Sequence, residues 1–170
     1  MEYYFYDTAT GVEEYDIRNE EYERLIDMCC RFSDYFSLVL QDEESRVASL
    51  LKEYEIKEMR EIYPYYQNWN DKKQCWSPYV ICFYRVCEQT RDILIQSAQG
   101  IFDWYGRRDG PGGEDPCFYR KDGTCFFSSV IHDGILTLSP LENEKPFEWI
   151  SSENWTEERR VINYGSLPAE

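Results

Sequence analysis

The sequence predicts an α+β fold: a mixed or antiparallel sheet that ends in a C-terminal β-meander and is packed by about three helices. Three observations predict it. Apolar residues recur at helical spacing in three separate stretches. Runs rich in β-branched and aromatic residues lie between them. Two Asp-Gly pairs, Asp122-Gly123 and Asp133-Gly134, punctuate the last third as hairpin turns. The strands and helices do not follow a regular βαβ order, which argues against an α/β sheet.

In chain order, "YYFYD" and "VEEYDI" flank "TATG" and read as a small hairpin. Asn19 is a plausible N-cap, with Glu20 and Glu21 complementing the helix dipole, and Tyr22, Leu25, Ile26, Cys29 and Phe32 then keep one helical face. "YFSLVL" alternates Phe36, Leu38 and Leu40 on one side, the pattern of a strand. Val47, Leu50, Leu51 and Tyr54 mark a second helix that begins near Glu43. A polar, aromatic connection without a helical or strand period runs on through Pro78. "YVICFYRV" reads as a buried central strand. A third helix is expected from about Glu88 to Tyr105, stopped by "GRRDGPGGEDP". The meander "CFYRKDGTCFFSSVIHDGILTLS" follows, then a short helix near Asn154–Arg160 and a loose end from about residue 163. The 170 residues read as one domain, long enough to bury roughly 70% of their unfolded surface.

Charge bounds the function. The net charge is −15, and residues 1–61 hold 17 acids against 7 bases, while residues 62–140 hold 9 against 8. Such a chain is a poor ligand for nucleic-acid phosphates or anionic membranes, and it suits a basic partner or simple solubility. The first residues, "MEYYFYDTATG", lack a basic and apolar leader, and no apolar run approaches membrane-spanning length. Seven cysteines, an odd number, read as reduced thiols of a cytoplasmic protein. With no CxxC and a single histidine, neither a metal site nor a cofactor is expected.

Three candidate sites compete. Cys117 or Cys125 with His132, oriented by Asp133, has the residue types of a nucleophile, a base and its orienter. The structural reading, small buried cysteines and a turn histidine, is favoured. "RRDGPGGED" has glycines and arginines that suit an anion, but it lacks the Lys-Ser/Thr ending of a phosphate loop and reads as a surface connection. The third candidate is a partner-binding face. Glu13, Glu14, Tyr15 and Asp16, then Glu20, Glu21, Tyr22 and Glu23, interleave carboxylates with tyrosine. Tyr65 and Trp69, in "IYPYYQNWND", are its candidate aromatic anchors. Tyrosine and tryptophan supply large contact area at low entropic cost, and carboxylates steer and pair with basic side chains.

From about Phe36 to Leu138 the order of "FSLVL", "YVICFYRV", a helix ending in "FDWYG", and "EDPCFYRKDGTCFFSSVIHDGILTL" resembles small acidic bacterial proteins of immunity-type or unknown function. The resemblance is one of pattern and carries no catalytic signature. It implies a cytoplasmic inhibitor that neutralises a toxin. The leading expectation is therefore a protein-binding module, immunity- or antitoxin-like, that occludes a basic toxin or enzyme. The alternatives are an acidic nucleic-acid mimic that blocks a DNA-binding enzyme, and a small enzyme using Cys125 and His132.

Overall fold

The computed structural model describes residues 2–6, 17–40, 42–63, 66–69, 72–75, 79–104, 110–153 and 155–158. Three α-helices and ten strands are found among them. They are β1 (Glu2–Tyr6), α1 (Glu20–Phe32), β2 (Tyr35–Leu40), α2 (Arg46–Leu51), β3 (Glu61–Tyr63), β4 (Tyr66–Trp69), β5 (Lys72–Cys75), β6 (Tyr79–Arg85), α3 (Glu88–Ser97), β7 (Glu114–Tyr119), β8 (Cys125–Val130), β9 (Ile135–Leu138) and β10 (Trp155–Glu158). Eight strands form one sheet in the order β10-β1-β9-β8-β7-β2-β6-β3, and every neighbouring pair is antiparallel. The fold is α+β and mostly sheet, and the C-terminal meander β7-β8-β9 lies at its centre.

The helices serve one face of that sheet. α1 packs on β7 and β8 and against α3, and α3 packs against α2. Its apolar stripe is the one its spacing requires: Tyr22, Leu25, Ile26, Met28 and Cys29 are buried. They meet Phe36, Leu38 and Leu40 of β2, Val80, Cys82 and Tyr84 of β6, Phe118 of β7 and Phe127 of β8 in one core. The rings run in series across the strands, Tyr84 to Phe36 at 5.3 Å, Phe36 to Phe118 at 5.5 Å and Phe118 to Phe127 at 6.2 Å. Each such side chain contributes about 1.5–3 kcal/mol by leaving water.

The ends of the helices are pinned by the backbone. The Asn19 N–H donates to the Gln99 carbonyl (2.7 Å) and the Ile101 N–H to the Ile17 carbonyl (3.1 Å), tying the start of α1 to the end of α3. Asn19 is the N-cap residue, but its side chain makes no capping bond. Thr90 caps α3 instead: its hydroxyl oxygen accepts from the Cys87 N–H and donates to the Arg85 carbonyl, both at 2.9 Å.

Several expectations need correction. β1 pairs with β9 on one edge and β10 on the other, so "YYFYD" has no edge left for a hairpin with "VEEYDI", whose residues up to 16 lie outside the described ones. The segment at 155–158 is strand β10 and not a helix, because it completes the sheet beside β1. The second helix starts at Arg46, capped by Ser45, and Leu50 of its expected apolar stripe is exposed. The third ends at Ser97, where Ala98 turns extended and Gly100 bridges to Arg18; Ile101 belongs to a separate 3-10 turn. The connection through Pro78 is not irregular: it holds β3 and the β4-β5 hairpin. β6 is next to the edge strand β3, and it alternates between faces where a doubly buried strand would not. The expected loose end from residue 163 lies outside the described residues.

Among the described residues no helix is long and apolar enough to cross a membrane. The six described cysteines, Cys29, Cys30, Cys82, Cys87, Cys117 and Cys125, are free thiols.

Candidate functional site

The alternation that sends Phe36, Leu38 and Leu40 to the helices sends Tyr35 and Val39 the other way, and they stay half-buried. The same rule turns Ile81 and Phe83 of β6 and Cys117 and Tyr119 of β7 outward, all half-buried. Tyr35 stacks on Tyr119, ring centres 5.3 Å apart and planes 15° from parallel. Phe83 leans on both, at 6.2 Å and 5.9 Å. These residues floor an open groove of about 440 Å³, with Glu61 and Asp115 on its walls.

The groove mixes ring surface with polar atoms. The Ser37 and Tyr119 hydroxyls stand 3.4 Å apart. Cys117 Sγ–H donates to the Asp115 carbonyl at 3.4 Å. Asp115 has a φ of 50°, a value uncommon for a residue with a side chain, and its Oδ1 accepts the Ile131 N–H at 2.7 Å. Burial raises the Asp115 carboxyl above its ordinary range, with the Ile131 bond opposing. Burial also pushes the Tyr119 and Tyr35 phenols up, helped at Tyr35 by the carboxylates of Asp122 and Asp34.

Cys125 and His132 do not assemble. Cys125 opens β8 and His132 lies in the turn beyond its far end. Six residues of extended chain separate them by roughly 20 Å. Cys125 Sγ–H is held by the Phe127 carbonyl, and burial pushes its thiol up to about 12. Burial raises the Cys117 thiol as well. A protonated thiol is a poor nucleophile. His132 is more than half exposed and pairs with Asp133 within its own turn. Among the described residues no group of three or more His, Cys, Asp or Glu could hold a metal ion.

The loop glycines are structural. A Cβ on Gly112, whose φ is 87°, would fall 2.6 Å from Ser45 Cβ, so this part of "GPGG" is fitted against the start of α2. Arg107 and Arg108 lie outside the described residues.

The expected partner-binding residues fall in three groups. Glu13, Glu14, Tyr15, Asp16 and Tyr65 lie outside the described residues. Trp69 ends β4 opposite Lys72. Glu20, Glu21 and Glu23 form the first turn of α1, with Glu20 and Glu23 exposed. Tyr22 is a correction: it is 1% exposed and cannot share that surface. Its hydroxyl donates to the Leu94 carbonyl and accepts the Trp104 Nε1–H, both at 2.9 Å, which spends its polar tip inside the core. Its place at the head of the stripe Tyr22-Leu25-Ile26-Cys29 was the available sign. Sequence reasoning missed the open face, although "YFSLVL" and "YVICFYRV" both alternate.

A second hollow of about 650 Å³ lies between Tyr3 and residues 140–148, with Leu141, Pro146 and Phe147 in its walls. Its Glu144 is already committed to Arg120. The geometry thus defines a class of architecture, an antiparallel sheet with helices on one face and an aromatic, acid-edged groove on the other. No family model matches this chain, nor does any curated protein or solved structure.

Proposed function

We propose that this protein is a protein-binding module, an immunity- or antitoxin-like inhibitor that acts in the cytoplasm by occluding a basic toxin or enzyme. The observation that carries the reading is the half-exposed aromatic face, Tyr35, Phe83 and Tyr119, in a chain of net charge −15. Rigid aromatic rings at a surface are the usual anchors of protein interfaces. The acidic field steers a basic partner toward them, a role to which Glu20, Glu21 and Glu23 at the head of α1 contribute. Occlusion also suits the separation of Cys125 from His132, which leaves that pair without contact.

The test is surface plasmon resonance against the product of the adjoining gene, at two salt concentrations. Association is expected to slow steeply with salt, since charges more than about 10 Å apart are screened at 0.1 M. Reversing Glu20, Glu21 and Glu23 to lysine should slow association and leave dissociation nearly unchanged. Salt-independent association by the folded wild type would sink the steering. Loss of inhibition in His132→Ala with unaltered unfolding would replace occlusion by chemistry.

A further inference from the structure

The open face narrows the kind of basic group that docks. Its floor is the stacked pair Tyr35–Tyr119 with Phe83 against both rings. Glu61 and Asp115 line the groove, and the carboxylates of Asp34 and Asp122 act on Tyr35 from beside it. Among the described residues, Arg85 stands opposite Tyr35 in the β2–β6 register, and His132 acts on Asp115 from the turn after β8. Ring faces with an excess of carboxylates around them attract a cation. Between the two common cations the floor discriminates. A guanidinium is planar, stacks on rings and sheds water readily, whereas an ammonium is a compact, strongly hydrated charge. At about 440 Å³ the hollow takes a projecting side chain rather than a folded surface. A second copy of this chain is a poor occupant, because it would bring the same net charge of −15.

We propose that the β2-β6-β7 face is the docking surface for a basic protein and that an arginine side chain of that partner seats over Tyr35, Phe83 and Tyr119. This rests on the reading of the chain as a module for a basic partner, and it adds where the partner binds and which residue anchors it.

The test is an amide chemical-shift titration of the full chain with acetyl-Gly-Arg-Gly-amide and its lysine and citrulline counterparts. The arginine peptide is expected to shift residues 35, 37, 83 and 119 in a saturable way, about two- to fivefold tighter than the lysine peptide. The citrulline peptide, uncharged, should shift them little. Phe83→Leu should weaken the arginine peptide, while Tyr119→Phe, which keeps the ring, should not. Equal affinity for arginine and lysine overturns the proposal, and so do shifts confined to the head of α1. If Phe83→Leu fails to fold, the wild-type peptide comparison decides alone. Arginine binding in the groove of a chain that ignores its basic neighbour would sink the function and leave the groove standing. Capture of that neighbour with undiminished affinity by a folded Phe83→Leu would do the reverse.

Discussion

The two faces of the eight-stranded sheet use the same strands and much the same residue types, yet only one is a core. On the helix side Phe36, Tyr84, Phe118 and Phe127 are almost fully withdrawn from water. On the other side Tyr35, Phe83 and Tyr119 make ring contacts at similar distances but stay half-buried, among hydroxyls, thiols and carboxylates. Aromatic content therefore does not tell core from surface in this chain. What tells them apart is whether the polar atoms between the rings are all spoken for. The Tyr22 hydroxyl, inside, has two partners at 2.9 Å. The Tyr119 hydroxyl, outside, has Ser37 Oγ at 3.4 Å, near the limit of a hydrogen bond, and the weakly bonding Cys117 thiol beside it.

The largest test of the comparison is to delete one ring from each face. Phe118→Ala should cost about 3–5 kcal/mol, the transfer free energy plus a cavity the packed helices cannot fill. Phe83→Ala, whose site is already open, should cost about 1 kcal/mol. Urea unfolding of both variants, with unchanged slopes, measures the two. Equal losses would mean that the outer face is as dry as the inner one, and the docking proposal would fall with the comparison.

A second test uses the buried ion pair at the edge of the meander. Arg120, 8% exposed, donates to both carboxylate oxygens of Glu144, to the carbonyls of Cys125 and Ser139 and to the Thr124 hydroxyl. It clamps the segment after β9 onto the turn between β7 and β8. Burial alone would raise the Glu144 carboxyl, but the Arg120 bonds and the Leu141 N–H outweigh it and hold Glu144 below its ordinary value. Glu144→Gln strands a buried guanidinium and should cost about 3 kcal/mol at neutral pH. A depressed carboxyl contributes stability above its unfolded value, and that stability is lost as pH falls through the folded one. The gap between wild type and Glu144→Gln should accordingly be full at pH 6–7 and close as the pH falls below about 4.5, the ordinary glutamate range. Asp115, raised by burial, works in the opposite sense in acid but is common to both proteins and cancels in the difference. A gap that persists unchanged in acid would show that the loss comes from packing rather than charge.

What was legible in the sequence is what local period determines. The stripe of α1, the strand YFSLVL and the meander with its Asp-Gly turns all follow from side chains a few residues apart. Gly123 and Gly134 do take positive φ there, at 88° and 66°. The role of β1 was not legible, because its partners sit some 130 to 155 positions away and nothing in five residues names them. β10 was misread for the same reason: four residues become strand by completing an edge, not by propensity. The sequence showed the overall excess of acid, but it did not single out Glu61 and Asp115, the acids that line the groove. The aromatic half was not legible either, since whether Tyr35 or Phe36 faces water depends on which side of the sheet the helices cover.

The smallest test exchanges a single oxygen on each face. Tyr22→Phe keeps the ring but removes the acceptor for Trp104 Nε1–H and the donor to the Leu94 carbonyl. Both partners are left buried without replacement, so the loss should be about 1–3 kcal/mol. Tyr119→Phe removes a hydroxyl whose neighbour, Ser37 Oγ, is 3.4 Å away. It also removes a phenol that burial had made harder to ionise, and the Ser37 and Cys117 side chains left behind line the open groove. Its effect on unfolding should stay within about 0.5 kcal/mol. The measurement is paired thermal and urea unfolding of the two variants beside wild type. If Tyr119→Phe costs as much as Tyr22→Phe, the Ser37–Tyr119 contact is a buried structural bond and the outer face is a second core. If it costs nothing and the arginine peptide still binds, ring area and not the hydroxyl holds the ligand, as a guanidinium stacked on the floor requires.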